Sequence, residues 1–240
     1  MKVLVLGHNG MLGNAVFKYL AQKGLELVTT KHRWPSAEFK EIVSTSDVQV
    51  IVNCIGAIPQ RKKTFNVNYE LPKWLDENIK CKIIHPGTDC EIDDDEYGFS
   101  KRQAVDYIIE KAKNTKIIKT SIIGHEINSK ASLLDWFLNE EGSVRGYNNH
   151  YWNGNTTLQW SKICFDIINK WHEYDTLTII ESERVSKFEL LNIISNVYKK
   201  DITIEDYTHP KTVNNKCLKG NVIAPSLSEQ LTELKSFYKK

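Results

Sequence analysis

Seven residues in, the chain reads Gly7-His-Asn-Gly10-Met-Leu-Gly13, directly after the apolar run Lys2 to Leu6 and directly before a helical stretch, Met11 to Lys23. A GxxGxxG spacing between a strand and a helix marks the opening of a βαβ unit and commits the chain to a parallel sheet. Gly7 allows the tight turn, Gly10 lets the backbone approach a pyrophosphate, and Gly13 lets the helix pack closely on the strand. Asn9, Met11 and Leu12 fill out a helix N-terminus whose free N–H groups suit phosphate oxygens. The alternative is a tight turn that holds no ligand.

The rhythm continues with a second strand, Leu25 to Thr30, then helix Ser36 to Thr45, strand Val48 to Cys54, helix Glu70 to Ile79, strand Cys81 to His85, helix Tyr97 to Lys113 and strand Lys116 to Ser121. Strands that are apolar throughout and alternate with helices imply a parallel sheet covered on both faces. Beyond residue 125 the texture changes to helices over Ser129 to Glu141, Thr156 to Trp171 and Ser186 to Lys200, with short strands near Thr178 and Ile202. The expected fold is α/β: a Rossmann-like doubly wound parallel sheet over residues 1–125, with a small, mostly helical substrate lobe over 126–240 from which some chain crosses back to the sheet.

Charge narrows the partners. With 32 Lys+Arg against 30 Asp+Glu, the net charge of +2 offers no broad attraction to nucleic acid or to an anionic membrane. The five cysteines are scattered, without a CxxC pair, which argues against a disulfide framework or a zinc site and fits a reducing, cytoplasmic setting. The apolar run at the start is about five residues, too short for a signal segment or a membrane span. The histidines lack metal-ligand spacing and the acidic run Asp93 to Glu96 reads as a solvated loop, so no metal is expected.

The second strand ends Thr29-Thr30-Lys31-His32-Arg33. An acid there would accept ribose hydroxyls; Lys31, His32 and Arg33 suit a 2′-phosphate instead, so NADPH is expected, with NADH as the alternative. A solvated basic turn is the competing interpretation.

Tyr97-Gly-Phe-Ser-Lys101 matches the YxxxK pair of short-chain dehydrogenases, but Tyr19/Lys23, Tyr69/Lys73, Tyr107/Lys111 and Tyr207/Lys211 match the spacing too. Only Tyr97 opens a helix shortly after a parallel strand that ends His85-Pro-Gly-Thr88-Asp89. When hydride reaches a ketone carbon the oxygen gains negative charge and must be protonated, and a phenol within reach serves as the acid. Free tyrosine titrates at about 10, and the Lys101 ammonium one turn away, together with a nicotinamide cation in the oxidised state, is expected to lower that value. Thr88 would donate to the carbonyl oxygen.

Taken together, the ordered motifs resemble extended short-chain dehydrogenase/reductases, most closely the dTDP-4-dehydrorhamnose reductase-like sugar-nucleotide reductases. The similarity runs through Gly7–Gly13, Val52-Asn-Cys-Ile-Gly-Ala, Val67-Asn68, Thr88-Asp89, Tyr97–Lys101, Lys119-Thr-Ser-Ile-Ile-Gly124 and Gly146-Tyr147 through Gly154-Asn-Thr-Thr157. The resemblance implies that Asn53 to Ile58, including Cys54, Ile55 and Gly56, line the adenine and ribose side and that Ser121 and Ile122 lie near the nicotinamide. It also places Asn68, Asp89, Arg145 and Trp152 against a nucleotide-linked 4-keto sugar. The implied activity is NADPH-dependent reduction of a 4-keto-6-deoxy nucleotide sugar, as in deoxysugar and surface polysaccharide biosynthesis; a homodimer is compatible with it.

Two alternatives stand beside this: a non-catalytic dinucleotide-binding regulatory subunit and an epimerase of the same fold. Related 4,6-dehydratases carry Thr-Asp-Glu at the strand end, and Cys90 in the third place argues against that reaction. Relatives also have a longer loop between the catalytic Thr and Tyr, so part of the substrate wall is expected to be missing. There is room for only one helix between strand two and Val48, so the usual third strand shrinks to the Arg33-Trp34-Pro35 region and the sheet should be a strand short on that edge.

Overall fold

Successive side chains of a strand point to opposite faces, and the first strand of this chain uses both faces for core. In the computed structural model, which describes residues 1–62, 64–128 and 132–239, β1 (Lys2–Leu6) sends Val3 and Val5 into one apolar cluster and Leu4 and Leu6 into another. In alternation follow α1 (Met11–Gln22), β2 (Glu26–Val28), α2 (Ala37–Thr45), β3 (Val50–Asn53), α3 (Val67–Asn78), β4 (Lys82–Gly87), α4 (Glu96–Lys111) and β5 (Thr115–Lys119). A short 3-10 turn, Asp89–Ile92, separates β4 from α4. The chain continues through β6 (Ile122–Ile123), α5 (Leu133–Asn139), β7 (Ser143–Tyr147), β8 (His150–Trp152), β9 (Asn155–Thr156) and α6 (Thr157–Asn169). Then come β10 (Leu177–Glu181), β11 (Val185–Ser186), α7 (Lys187–Tyr198), β12 (Thr203–Tyr207), β13 (Asn214–Asn215), β14 (Val222–Ile223) and α8 (Leu227–Tyr238).

Seven parallel strands form the central sheet in the order β14-β10-β5-β4-β3-β1-β2. From β1 the chain moves to β2 on one side and returns to β3 on the other, so a crevice opens at the carboxyl ends of β1 and β3. On one face α1 and α6 pack together, burying Leu12, Val16, Trp160 and Ile167 against Val3, Val5 and Ile84. On the other face α2 and α3 bury Phe39, Leu71 and Leu75 against Leu4, Leu6 and Ile51. The three-residue β2 is the edge strand, as the single helix between it and β3 requires. Trp34 packs there on Phe39 and Trp74, with ring centroids 5.9 and 5.3 Å away.

Residues after 125 divide between the sheet and a second core. The strand near Thr178 is β10, hydrogen-bonded to β5, and β14 extends the sheet beyond it. The second core gathers Leu134, Phe137, Leu191, Ile194, Leu227, Leu231 and Leu234. Helix α8 has no counterpart in the sequence reading, although Ser226 and Glu229 form a capping box and Leu227, Leu231 and Leu234 recur at helical spacing. The helix expected over Ser129 to Glu141 starts at Leu133 behind a Ser132 cap; residues 129–131 lie outside the described residues. The Tyr147 to Gly154 stretch contains β8, which pairs with β11 on one side and β13 on the other. Among the described residues no helix is long and apolar enough to cross a membrane.

One fully buried amide ties α8 to the rest. Gln230 Nε2 lies within hydrogen-bond distance of Asn155 Oδ1 (3.1 Å), Ser182 Oγ (3.2 Å) and the Pro225 carbonyl (2.9 Å), and its Oε1 accepts from the Thr156 N–H at 3.0 Å. Gln230→Leu keeps the volume and strands these partners, so urea unfolding should show a loss of about 1–3 kcal/mol; an unchanged midpoint would show that water replaces the amide.

Candidate active site

Two cavities share the crevice. The first, of about 680 Å³, is lined by Gly7 to Gly10, Thr30 to Trp34 and residues around Gly56. The second, of about 640 Å³, runs from Gly10, Met11 and Leu12 to Thr88, Tyr97 and Lys101. Gly10, Ile55, Gly56, Ala57 and Lys62 line both, so they form one continuous trough.

The glycine turn is shaped for a backbone-bound anion. Gly7 sits at φ +78°, a left-handed conformation, and a side chain there would also meet the Cys54 backbone at 2.9 Å. A methyl group on Gly13 would lie 2.1 Å from the Gly7 carbonyl oxygen, so only glycine lets α1 start this close to β1. Gly10 caps α1 without a side-chain hydrogen bond, which leaves the first N–H groups of the helix for a ligand at its positive end. A dinucleotide diphosphate fits this cradle. Asn9 lies beside it in the first cavity.

Lys31, His32 and Arg33 line the first cavity together with Lys62, and among the described residues that line it none is a carboxylate. That chemistry suits a phosphate group better than a ribose diol. Cys54, Ile55, Gly56, Ser121 and Ile122 line the second cavity. Asn53, expected on the adenosine side, does not line either one. It is fully buried, with Nδ2 donating to His85 Nδ1 at 3.1 Å and Oδ1 accepting from the Ile55 N–H at 3.1 Å, so it ties β3 to β4. His85 therefore carries its proton on Nε2, which has no partner among the described residues. Burial and the nearby Lys101 hold this imidazole neutral, well below its usual range.

Of the five Tyr/Lys pairs, only Tyr97 and Lys101 line the trough. Asp95 caps α4, its Oδ1 accepting from the Gly98 N–H at 2.6 Å, and Tyr97 follows in the first turn with its ring against Phe65. Thr88 ends the run from β4. Its hydroxyl donates to Asp89 Oδ1 at 3.0 Å and accepts from the Cys90 N–H at 3.3 Å, and like Tyr97 it lines the trough.

The electrostatics differ from the expectation that Lys101 lowers the tyrosine. Burial pushes the Tyr97 phenol well above its ordinary value, the neighbouring Cys90 adds to this, and the Thr88 hydroxyl offsets part of it. Lys101 is turned to the Pro86 carbonyl, to which its Nζ donates at 2.8 Å, and is not among the groups that shift Tyr97. Its own pKa falls to about 8 because burial penalises the ammonium, while Glu91 and Cys90 oppose the fall. Cys90 lines the trough with its thiol pushed up to about 12, chiefly by burial, so at neutral pH it is a thiol and not a nucleophile.

The four residues placed against a substrate separate. Asp89 lines the second cavity and is buried. Asn68 also lines it, but its amide is spent on protein: Nδ2 donates to the Ala57 carbonyl (3.0 Å) and to Ser100 Oγ (3.1 Å), and Oδ1 accepts from the Ala57 N–H (2.8 Å). Arg145 lies outside the trough on β7, largely exposed, with Nε 3.9 Å from Glu205 and its guanidinium over the Tyr207 ring. Trp152 folds back over Gly154 and into the second core, since its indole finds apolar neighbours there.

The side where a missing wall is expected is lined by the short connection itself, through Asp89, Cys90, Asp93 and Asp95. The 3-10 turn Asp89–Ile92 fills the short Thr88 to Tyr97 connection, and Asp93 forms an ion pair with Lys216 from the segment after β13. Asn153 holds that segment by accepting from the Leu218 N–H at 2.9 Å and donating to its carbonyl at 2.7 Å. Arg61 and Glu126, both lining the trough, form an ion pair across its rim. Lys62, Arg61, Glu126 and Lys216 escaped the sequence reading because no local pattern marks them. Glu91 was legible, as the fourth residue of a Thr-x-x-Glu capping box. Among the described residues, no three His, Cys, Asp or Glu side chains converge as a metal site.

Residues 3–121 match the model of the NAD dependent epimerase/dehydratase family. No curated protein matches the chain in sequence. Among solved structures, dTDP-4-dehydrorhamnose reductase from Clostridium acetobutylicum superposes with a TM-score of 0.73 at 16% identity, over 100% of both chains. The Bacillus anthracis dTDP-4-dehydrorhamnose reductase in complex with NADP gives 0.76 at 13% identity, over 100% of this chain and 99% of that one. UDP-N-acetylglucosamine 4-epimerase from Bacillus cereus gives 0.73 at 14% identity, over 100% of both. At such identities the likeness establishes the Rossmann-like fold.

The Lys101 environment yields a stability test. Its folded pKa of about 8 lies below the ordinary 10.5, so between those values the native state has released a proton that the unfolded chain keeps. Stability contributed by this group is therefore gained as pH rises from about 8 to about 10.5, by roughly 3 kcal/mol at about 1.4 kcal/mol per pH unit. Urea unfolding across that range should show the wild type gaining on Lys101→Met; parallel curves would place the lysine in water.

Proposed function

We propose that the chain, whose residues 3–121 match the model of the NAD dependent epimerase/dehydratase family, is an NADPH-dependent reductase of a nucleotide-linked 4-keto-6-deoxy sugar. One observation carries this: the Thr88 and Tyr97 side chains stand on the wall of a cavity continuous with a basic pocket whose described lining holds no carboxylate. NADPH held at the glycine turn and the basic pocket would supply a hydride to a carbonyl carbon. As the C=O π bond breaks, the Tyr97 O–H proton passes to the oxygen, the Thr88 O–H turns from Asp89 Oδ1 to donate to it, and Lys101, which faces the Pro86 carbonyl, would hold the nicotinamide ribose.

Burial keeps Tyr97 protonated across the neutral range, which is the form a reduction needs from its acid. A protonated Cys90 offers no base beside the sugar, which favours reduction over the dehydration that a glutamate supports at this place in the related enzymes. The likeness to a 4-epimerase keeps one competitor: an epimerase returns its hydride and consumes no cofactor.

With dTDP-4-keto-6-deoxyglucose and its C3/C5 epimer as substrates, NADPH oxidation should be stoichiometric with sugar reduced. Tyr97→Phe should lower kcat by about 100-fold or more; undiminished oxidation in that variant would end the assignment, and sugar isomerisation without net oxidation would favour the epimerase. Arg33→Ala should weaken NADPH binding about tenfold and leave NADH binding alone, as ~1–2 kcal/mol for one charge-assisted contact requires; equal effects on both cofactors would remove the 2′-phosphate from this pocket.

A further inference from the structure

Glu91 is an unusual residue to find behind a reductase's acid. It is 4% exposed, lies in the turn that replaces a longer loop, and its two carboxylate oxygens reach different elements. Oε1 accepts from the Thr88 N–H at 2.8 Å, and Oε2 sits 2.5 Å from Lys119 Nζ on β5. Its backbone carbonyl accepts from Arg102 Nη1 on α4 at 2.8 Å. The space is made for it: a side chain on Gly87 would come within 3.0 Å of Oε1. The carboxylate thus joins the ends of β4 and β5, and the backbone of the same residue is held to α4, the helix that carries Tyr97 and Lys101.

Lys101 meets several groups in this interior. His85 faces it from β4 as a neutral imidazole, Cys90 from the turn as a thiol, and Tyr97 lies one turn back on its own helix as a phenol. Asn68 from α3 and Ser100 on α4 itself, hydrogen-bonded to each other, are neutral. Glu91 is the negative charge that acts on Lys101, and Lys119 partly neutralises it. A buried ammonium without a nearby anion loses its proton.

Resting on the reductase reading above, we propose that Glu91 is a positioning residue: its carboxylate anchors Thr88 at the reacting carbonyl and supplies the charge that keeps Lys101 an ammonium, with Lys119 setting how much of that charge Lys101 feels. The role is one of electrostatics as well as architecture. Glu91→Gln keeps an acceptor for the Thr88 N–H and removes the charge, whereas Lys119→Met removes the cation that competes with Lys101.

The test reads Lys101 directly. In protein labelled with 13C-lysine, the 13Cε resonance that disappears in Lys101→Arg is followed against pH without substrate. The wild-type midpoint should fall by about one pH unit or more in Glu91→Gln and rise in Lys119→Met. The alkaline limb of kcat for NADPH-dependent reduction should move with the midpoint in each variant. An unchanged midpoint in folded Glu91→Gln overturns the proposal. Should that variant not fold, a midpoint in Lys119→Met that fails to rise overturns it instead, and a rise supports it. Because the resonance needs no turnover, a wild type that reduces no 4-keto sugar would refute the reductase reading while leaving this measurement decisive.

Discussion

The contact between Gly13 and Gly7, too close for even one methyl group, is the constraint from which the rest of the site follows. It sets the N-terminus of α1 directly over the carboxyl end of β1, next to the point where the strand order reverses between β2 and β3. Helix-end N–H groups, a crevice and a sheet edge are thereby brought together without any side chain being spent on the phosphates. Everything that distinguishes one such protein from another is then arranged around that trough: basic side chains beyond β2, hydroxyls beyond β4, and the walls that later parts of the chain supply.

Those walls are where this chain departs from a longer relative. The short connection between Thr88 and Tyr97 lines the cavity itself. Its 3-10 turn packs so tightly on α4 that a side chain on Gly98 would strike the Cys90 carbonyl at 2.5 Å. The Asp93 to Lys216 ion pair then recruits a segment more than a hundred residues away. The acid and its neighbours pay for this compactness in desolvation. Tyr97 is held in its neutral form and Lys101 is drawn toward losing its proton, so buried charge, more than the distance between the two side chains, governs how they work together.

The periodic half of the chain was readable from sequence because each step is a short-range rule. Apolar strands such as Val50–Asn53, the capping residues at Ser36 and Asp95, and the glycine turn all act within a few residues of themselves. The reading weakened where a residue's role depends on partners far along the chain. Asn53 and Asn68 sit in motif positions, yet their amides hold β3 to β4 and the Ala57 loop to α4. Arg145 and Trp152 point away from the trough because Glu205 and the second core provide nearer partners. Helix α8 had its capping box and leucine spacing in plain view, but its place against the sheet-bound half rests on a buried glutamine whose partners come from three separate segments.

By itself the sequence determined the parallel α/β sheet, the phosphate cradle, the missing edge strand and which of five Tyr/Lys pairs stands at a strand end. These follow from side-chain periodicity, glycine geometry and the absence of room for another element. Tertiary structure alone decided that Asp93 on the cavity wall is held by Lys216 from the far end of the chain, that Lys101 faces the Pro86 carbonyl, and that Glu91 lies close enough to act on its charge. The physical reason is that burial and electrostatic coupling act through space: a group's charge state depends on what surrounds it in the fold, and nothing in the spacing of residues along the chain records that.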